Sequence, residues 1–155
     1  VLTLCHPFDY LRWLLGEVKS VYALTTRGGL NLDVEDTADA LLRFQTGTQA
    51  YVHVDYLRRQ PLHRLELVGS DGLITWDNAN GALRIFRGET GTWQETLPPA
   101  GFERNGMFMD EMAHFIQVVE HGASPLCTLQ DGIQALKICL AVLESGKTQQ
   151  EIQLG

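Results

Sequence analysis

The chain has 155 residues, 45% of them hydrophobic and 20% charged, enough for one domain with its own core. Nineteen acidic residues against twelve basic ones give a formal net charge of −7, which argues against nucleic acid or an anionic membrane surface as the main partner. No stretch approaches a membrane span. The three cysteines, Cys5, Cys127 and Cys139, have no metal-ligand spacing and suit a reducing, cytoplasmic setting.

Residues 1–5 run apolar up to His6, as the end of a strand or a buried linker would. We therefore expect an upstream domain. The stretch HPFDYLRWLLG then predicts a helix. Pro7 suits its first position, Phe8, Leu11, Leu14 and Leu15 recur at helical spacing, and Gly16 is the stop. Residues 17–27 are rich in Val, Tyr and Thr and read as a strand broken by Gly28-Gly29. An acidic connection leads into residues 37–44, where Ala38, Ala40, Leu42 and Phe44 share one face and Asp39 and Arg43 the other. Thr46-Gly47 turns the chain into a partner strand over residues 50–57.

Arg58-Arg59-Gln60-Pro61 interrupts this pattern. Strands come next at 63–68, 73–76, 82–86 and 92–97, with turn signals at Gly69-Ser70-Asp71-Gly72 and at 77–81. Pro98-Pro99 closes the strand region. Asn105 is placed to cap a second helix, with a stripe of Phe108, Met112, Phe115, Ile116 and Val119 and a stop at Gly122. Thr128 with Asp131 resembles a capping box for a third helix. Ile133, Leu136, Cys139, Leu140 and Leu143 are expected to face inward and Gly146 to end that helix. Residues 151–154 suit a short edge strand. One helix, a run of strands, two helices and a strand describe an α+β fold, a largely antiparallel sheet with helices on one face. Tyr51, His53, Asp55 and Leu57 share one side of their strand, joined by Thr75 and Arg84 in a mixed face suited to another subunit.

For chemistry, His6 and Asp9 stand three residues apart at a helix entrance. An imidazole there suits acid–base work near neutral pH, and the dipole favours the carboxylate. A plain helix entrance is the other reading of the same pair. Arg58 and Arg59 suit the clamping of a carboxylate or phosphate, or simple solvation in a loop. His53, Asp55 and His63 raise a metal site, set against exposed strand polar residues. No glycine fingerprint opens a helix, so the chain has no means of holding a dinucleotide alone.

Four segments in order carry a family resemblance: HPFDYLRWLLGEV, DTADALLRFQTGTQAYVHVDY, RLELVGSDGLITWD and NGMFMDEMAHFIQVVEHGASPLCTLQDGIQALKICLAVLES. Together they span most of the chain and resemble the C-terminal domain of the Gfo/Idh/MocA family of NAD(P)-dependent oxidoreductases. The resemblance implies an open, mostly antiparallel β-sheet over residues 1–155, a single substrate-binding and oligomerisation domain. It implies an N-terminal dinucleotide-binding domain outside this chain, with NAD or NADP held by the full-length parent and none by this chain alone. It also implies hydride transfer at a hydroxyl carbon of a sugar, nucleotide sugar or polyol, and a homo-oligomer formed through the sheet face. His6 falls at the family's catalytic His and Asp9 at its helix-entrance acid, with Arg58 and Arg59 as rim candidates for a sugar-like substrate. Many members place an Asp three or four residues before that His; here Thr3 and Leu2 stand there. That departure keeps open a non-catalytic binding or scaffold module of the same fold.

Overall fold

A computed structural model describes the whole chain, Val1–Gly155. In order it forms a 3₁₀ turn (Leu2–Leu4), α1 (His6–Leu15), β1 (Val18–Thr26), β2 (Thr37–Phe44), β3 (Gln49–Asp55), β4 (Arg64–Gly69), β5 (Gly72–Asp77), β6 (Ala82–Arg87), β7 (Thr92–Thr96), α2 (Arg104–His121), α3 (Leu129–Thr148) and β8 (Ile152–Gln153). The expected α+β class and antiparallel pairing are present. The strands form two four-stranded sheets, β3-β2-β1-β8 and β4-β5-β6-β7. They belong to two compact units, Val1–Leu57 with Leu126–Gly155, and Arg58–Pro125. The division falls at the Arg58–Pro61 interruption, where the alternating pattern lapses and Pro61 has no N–H to offer a ladder.

In the first unit, β2 keeps strict alternation. Ala38, Ala40, Leu42 and Phe44 are buried, while Asp39, Leu41 and Arg43 lie on the opposite side. Registry with β1 and β3 then fixes both faces of the sheet, because side chains alternate with period two. The inner face is covered by α3, which buries Ala135, Ile138, Cys139, Ala141 and Val142. Of the expected inward face of α3, Cys139 is buried and Leu143 half-buried, while Ile133, Leu136 and Leu140 are exposed and Ala135, Ile138, Ala141 and Val142 face inward instead.

Close approach explains the choice. A Cβ on Gly146 would sit 2.5 Å from Thr25 Oγ1, so only glycine fits there. Gly146 does not end the helix, which runs to Thr148 and stops at Gln149 in a left-handed conformation, φ 57°. One residue earlier, the buried Ser145 hydroxyl accepts the Ala23 N–H at 2.8 Å and donates to the Gln150 carbonyl at 2.6 Å. It replaces a strand partner where β8 has run out, since β8 pairs only with Ser20 and Val21.

α3 begins with both halves of the capping box. The Thr128 hydroxyl accepts the Asp131 N–H, and the Asp131 carboxylate accepts the Thr128 N–H at 2.9 Å. Thr128, together with Arg12 of α1 at 3.0 Å, holds the Asp131 carboxyl down at about 2. That pair ties α1 to α3, above a core that includes the fully buried Phe8.

The β1–β2 connection turns on one residue. Asp36 is buried, and its carboxylate accepts the N–H groups of Gly28, Gly29 and Leu30 at 3.1, 2.9 and 2.9 Å. Its own N–H donates to Thr26 and its carbonyl accepts from Tyr56. The Leu30 N–H, aided by those of Gly29 and Gly28, keeps this carboxyl below the usual range against the opposing effect of burial.

The second unit is an antiparallel meander followed by α2. Its tightest turn is Gly69–Gly72, where a Cβ on Gly72 would lie 1.9 Å from the Phe86 carbonyl oxygen. One face carries Leu65, Leu67, Ile74, Trp76, Leu83 and Ile85, all only half-buried. Ala82 is the one fully buried apolar residue of this unit. α2 starts at Arg104 behind Glu103, not at an Asn105 cap, and ends as expected at Gly122, φ 66°. Its apolar stripe is in place but exposed, with Phe108 at 55%, Phe115 at 60% and Val119 at 66%.

Candidate functional site: the helix entrance and the outer sheet face

α1 presents the sequence-predicted pair. The preceding residues form a 3₁₀ turn instead of a strand end, and the helix opens at His6 behind Cys5, so Pro7 takes its second position. Neither Cys5 nor His6 caps the helix through its side chain. His6 is exposed and Asp9 half-buried in the same first turn. Phe8 and Leu11 are buried beneath them and fix the helix, although Leu14 on the same predicted stripe is 44% exposed. His6 thus stands on an anchored element with its ring nitrogens uncommitted, in the same first turn as the Asp9 carboxylate and at the positive end of a helix dipole. Such a site can orient a hydroxyl or hold its proton.

Arg58 and Arg59 are exposed at the start of the second unit. His63, raised with His53 and Asp55 for a metal, belongs to that unit too and packs edge-on against Trp76 at 5.0 Å. No group of three or more His, Cys, Asp or Glu side chains is placed to hold a metal ion.

The outer face of the first sheet holds what the sequence reading missed. Asp39 stands opposite His53 in the β2–β3 register. His53 Nδ1 bonds Asp39 at 2.8 Å and Nε2 bonds Asp55 at 3.0 Å, so one imidazole bridges two carboxylates. The Tyr51 hydroxyl donates to the same Asp39. Asp39, with Asp55 behind it, raises the His53 pKa against some desolvation; the Tyr51 and His53 bonds lower that of Asp39. The signal available in the sequence was the shared parity of Asp39 with His53 across a hairpin, which becomes a contact only once the register is known. Tyr51, His53 and Asp55 do share this face. Leu57 lies beyond the end of β3, and Thr75 and Arg84 belong to the other sheet. Next to the cluster a hollow of about 420 Å³ is lined by Tyr22, Leu41, Arg43, Gln49, Tyr51 and Glu151, among others.

Both sheets are wholly antiparallel. The chain therefore has no parallel β–α–β crossover of the kind whose helix N-terminus takes a pyrophosphate. No helix is long and apolar enough to cross a membrane.

An antiparallel sheet with α3 on its inner face and a polar cluster on its outer face defines an α+β domain. Comparison with known proteins defines it further. The family model described as the GFO/IDH/MocA C-terminal domain matches residues 2–75. D-apiose dehydrogenase of Paraburkholderia graminis is 25% identical over 161 residues, 96% of this chain and 43% of that protein. The 1,5-anhydro-D-fructose reductase of Ensifer adhaerens is 27% identical, covering 97% of this chain and 46% of its own. The structure of levoglucosan dehydrogenase in complex with NADH shares the fold at a TM-score of 0.85 and 19% identity, over 97% of this chain and 48% of that one. Residues 2–75 of the chain thus resemble that C-terminal domain, and the fold of nearly the whole chain is shared with the levoglucosan dehydrogenase structure. It spans less than half the length of the curated relatives it matches.

Proposed function

We propose that this chain is the substrate-facing and oligomerisation half of an oxidoreductase that moves a hydride between NAD(P) and a hydroxyl carbon of a sugar, nucleotide sugar or polyol. The cofactor is held by a separate dinucleotide-binding domain of the parent. The observation that carries the reading is His6: exposed, free of intrachain hydrogen bonds, and set on a helix whose Phe8 and Leu11 are sunk in the core. Its part is to orient the substrate hydroxyl or hold its proton. Asp9 and, as further candidates, Arg58 and Arg59 belong to the substrate rim. The dehydrogenase and reductase relatives named above act on sugar-derived compounds, which supports the substrate class. The outer face of the first sheet, with Leu41 at 56% and Tyr51 at 64% exposure, is the oligomer contact in this reading.

A scaffold module of the same fold is the second reading. It is favoured by Leu2 and Thr3, which form a 3₁₀ turn where an acid would support the imidazole. Kinetics of the full-length parent separate the two. His6→Ala should lower kcat on the order of 10²-fold or more, the usual contribution of a positioned acid–base group, with the melting temperature kept. Turnover equal to that of the unaltered enzyme would remove His6 from the mechanism.

A further inference from the structure

The outer sheet face is organised in cross-strand rows. The β1–β2–β3 register sets Tyr22, Leu41 and Tyr51 side by side as one row. On one side of it lies the row Leu24, Asp39, His53; on the other, the row Ser20, Arg43, Gln49. Along β2 the outer face thus reads Asp39, Leu41, Arg43: negative, apolar, positive. With His53 charged, the Asp39–His53–Asp55 cluster keeps a net charge of −1. Arg43 is exposed and has no ion pair or hydrogen bond within the chain. Glu151 lines the same hollow and keeps its negative charge, its carboxylate accepting the Ser20 hydroxyl, but it forms no ion pair with Arg43.

A face with opposite ends of opposite sign is self-complementary under one two-fold axis and self-repelling under another. An axis parallel to the strands sets Asp39 on Asp39 and Arg43 on Arg43. An axis across the strands, along the Tyr22–Leu41–Tyr51 row, sets each Arg43 on the acidic cluster of the other copy and stacks the three apolar side chains on their own copies. Like charges brought together in an interface cost far more than the opposed arrangement. We infer that two copies of this chain associate face to face about an axis running along the Tyr22–Leu41–Tyr51 row, so that Arg43 of each meets the Asp39–His53–Asp55 cluster of the other. The hollow beside Arg43 receives Asp39 and His53 of the second copy. This rests on the outer face being the oligomer contact, and adds its orientation and its charge pairs.

Sedimentation of the whole chain and four variants tests it, with circular dichroism to confirm folding. Leu41→Arg removes the dimer whatever its orientation. Arg43→Glu sets two like-charge contacts and weakens the dimer more than about tenfold, as Asp39→Lys does for the opposite sign. Mixing the Arg43→Glu and Asp39→Lys chains sets the introduced glutamate of one against the introduced lysine of the other, and the retained Arg43 against the retained Asp39. The dimer is then restored as a heterodimer. A dimer lost in Leu41→Arg but unchanged in Arg43→Glu overturns the inferred axis and leaves the sheet-face reading standing. A monomeric parent chain, or a dimer that survives Leu41→Arg, overturns that reading and the axis with it. Should Asp39→Lys fail to fold, Arg43→Glu against Arg43→Gln decides alone: a loss confined to the reversed charge supports the axis, and equal affinities overturn it.

Discussion

The two units are built from the same strand grammar, yet they bury very different amounts of it. In the first, α3 covers the inner face of the sheet and Val21, Ala23, Ala40, Leu42 and Val142 all fall below 3% exposure. In the second, six apolar side chains line one face of the meander and none reaches full burial. Alternation makes a strand; a second layer makes a core. The contrast assigns rigidity to the unit that carries His6, and local opening to the unit that carries α2.

The sharpest way to break the contrast is a pair of truncations. Phe8→Ala should cost about 3–5 kcal/mol, the range for a fully buried aromatic, whereas Ile85→Ala in the meander should cost under about 2 kcal/mol. Urea unfolding of both variants checks it, and equal losses would mean the second unit has a core after all. Next in size is Ser145→Ala, which strips the Ala23 N–H of its acceptor inside the first unit. A loss of about 1–3 kcal/mol is expected, with faster hydrogen exchange at Ala23. The smallest effect lies on the solvent side of the same sheet. The His53 pKa is raised in the fold, so its contribution is full below the unfolded value and fades as pH rises through the folded one. Thermal melts should show a slight extra loss of stability across that window, reduced by salt and absent in His53→Gln.

Much of the fold was legible in the residue pattern. The bounds of β2 come straight from strict alternation in TADALLRF, and those of its neighbours shift by a residue or two. The capping box of α3 was readable because Thr128 and Asp131 are local partners. What stayed hidden depended on register and distance. α3 carries two apolar stripes, and periodicity alone cannot say which one meets a sheet; the buried one holds Ala135, Ile138, Val142 and Ser145, and at Gly146 the helix comes too close to Thr25 of β1 for any side chain. The strand pattern likewise carries no information on which strands share hydrogen bonds, so one sheet was expected where two formed. At the candidate site, His6 and Asp9 could be placed from a helix start. Asp39 could not be joined to His53 until Ala40 was known to face Val52.

The neck of the β1–β2 loop has a use beyond stability. A single carboxylate, Asp36, gathers three amides from the far side of its own loop while its backbone is pinned to the end of β1 and to Tyr56 just past β3. The loop is therefore closed at its mouth, like a drawstring bag, and its contents are free to differ. Residues 31–34 lie beyond that closure, so exchanging their side chains is expected to leave the sheet below undisturbed.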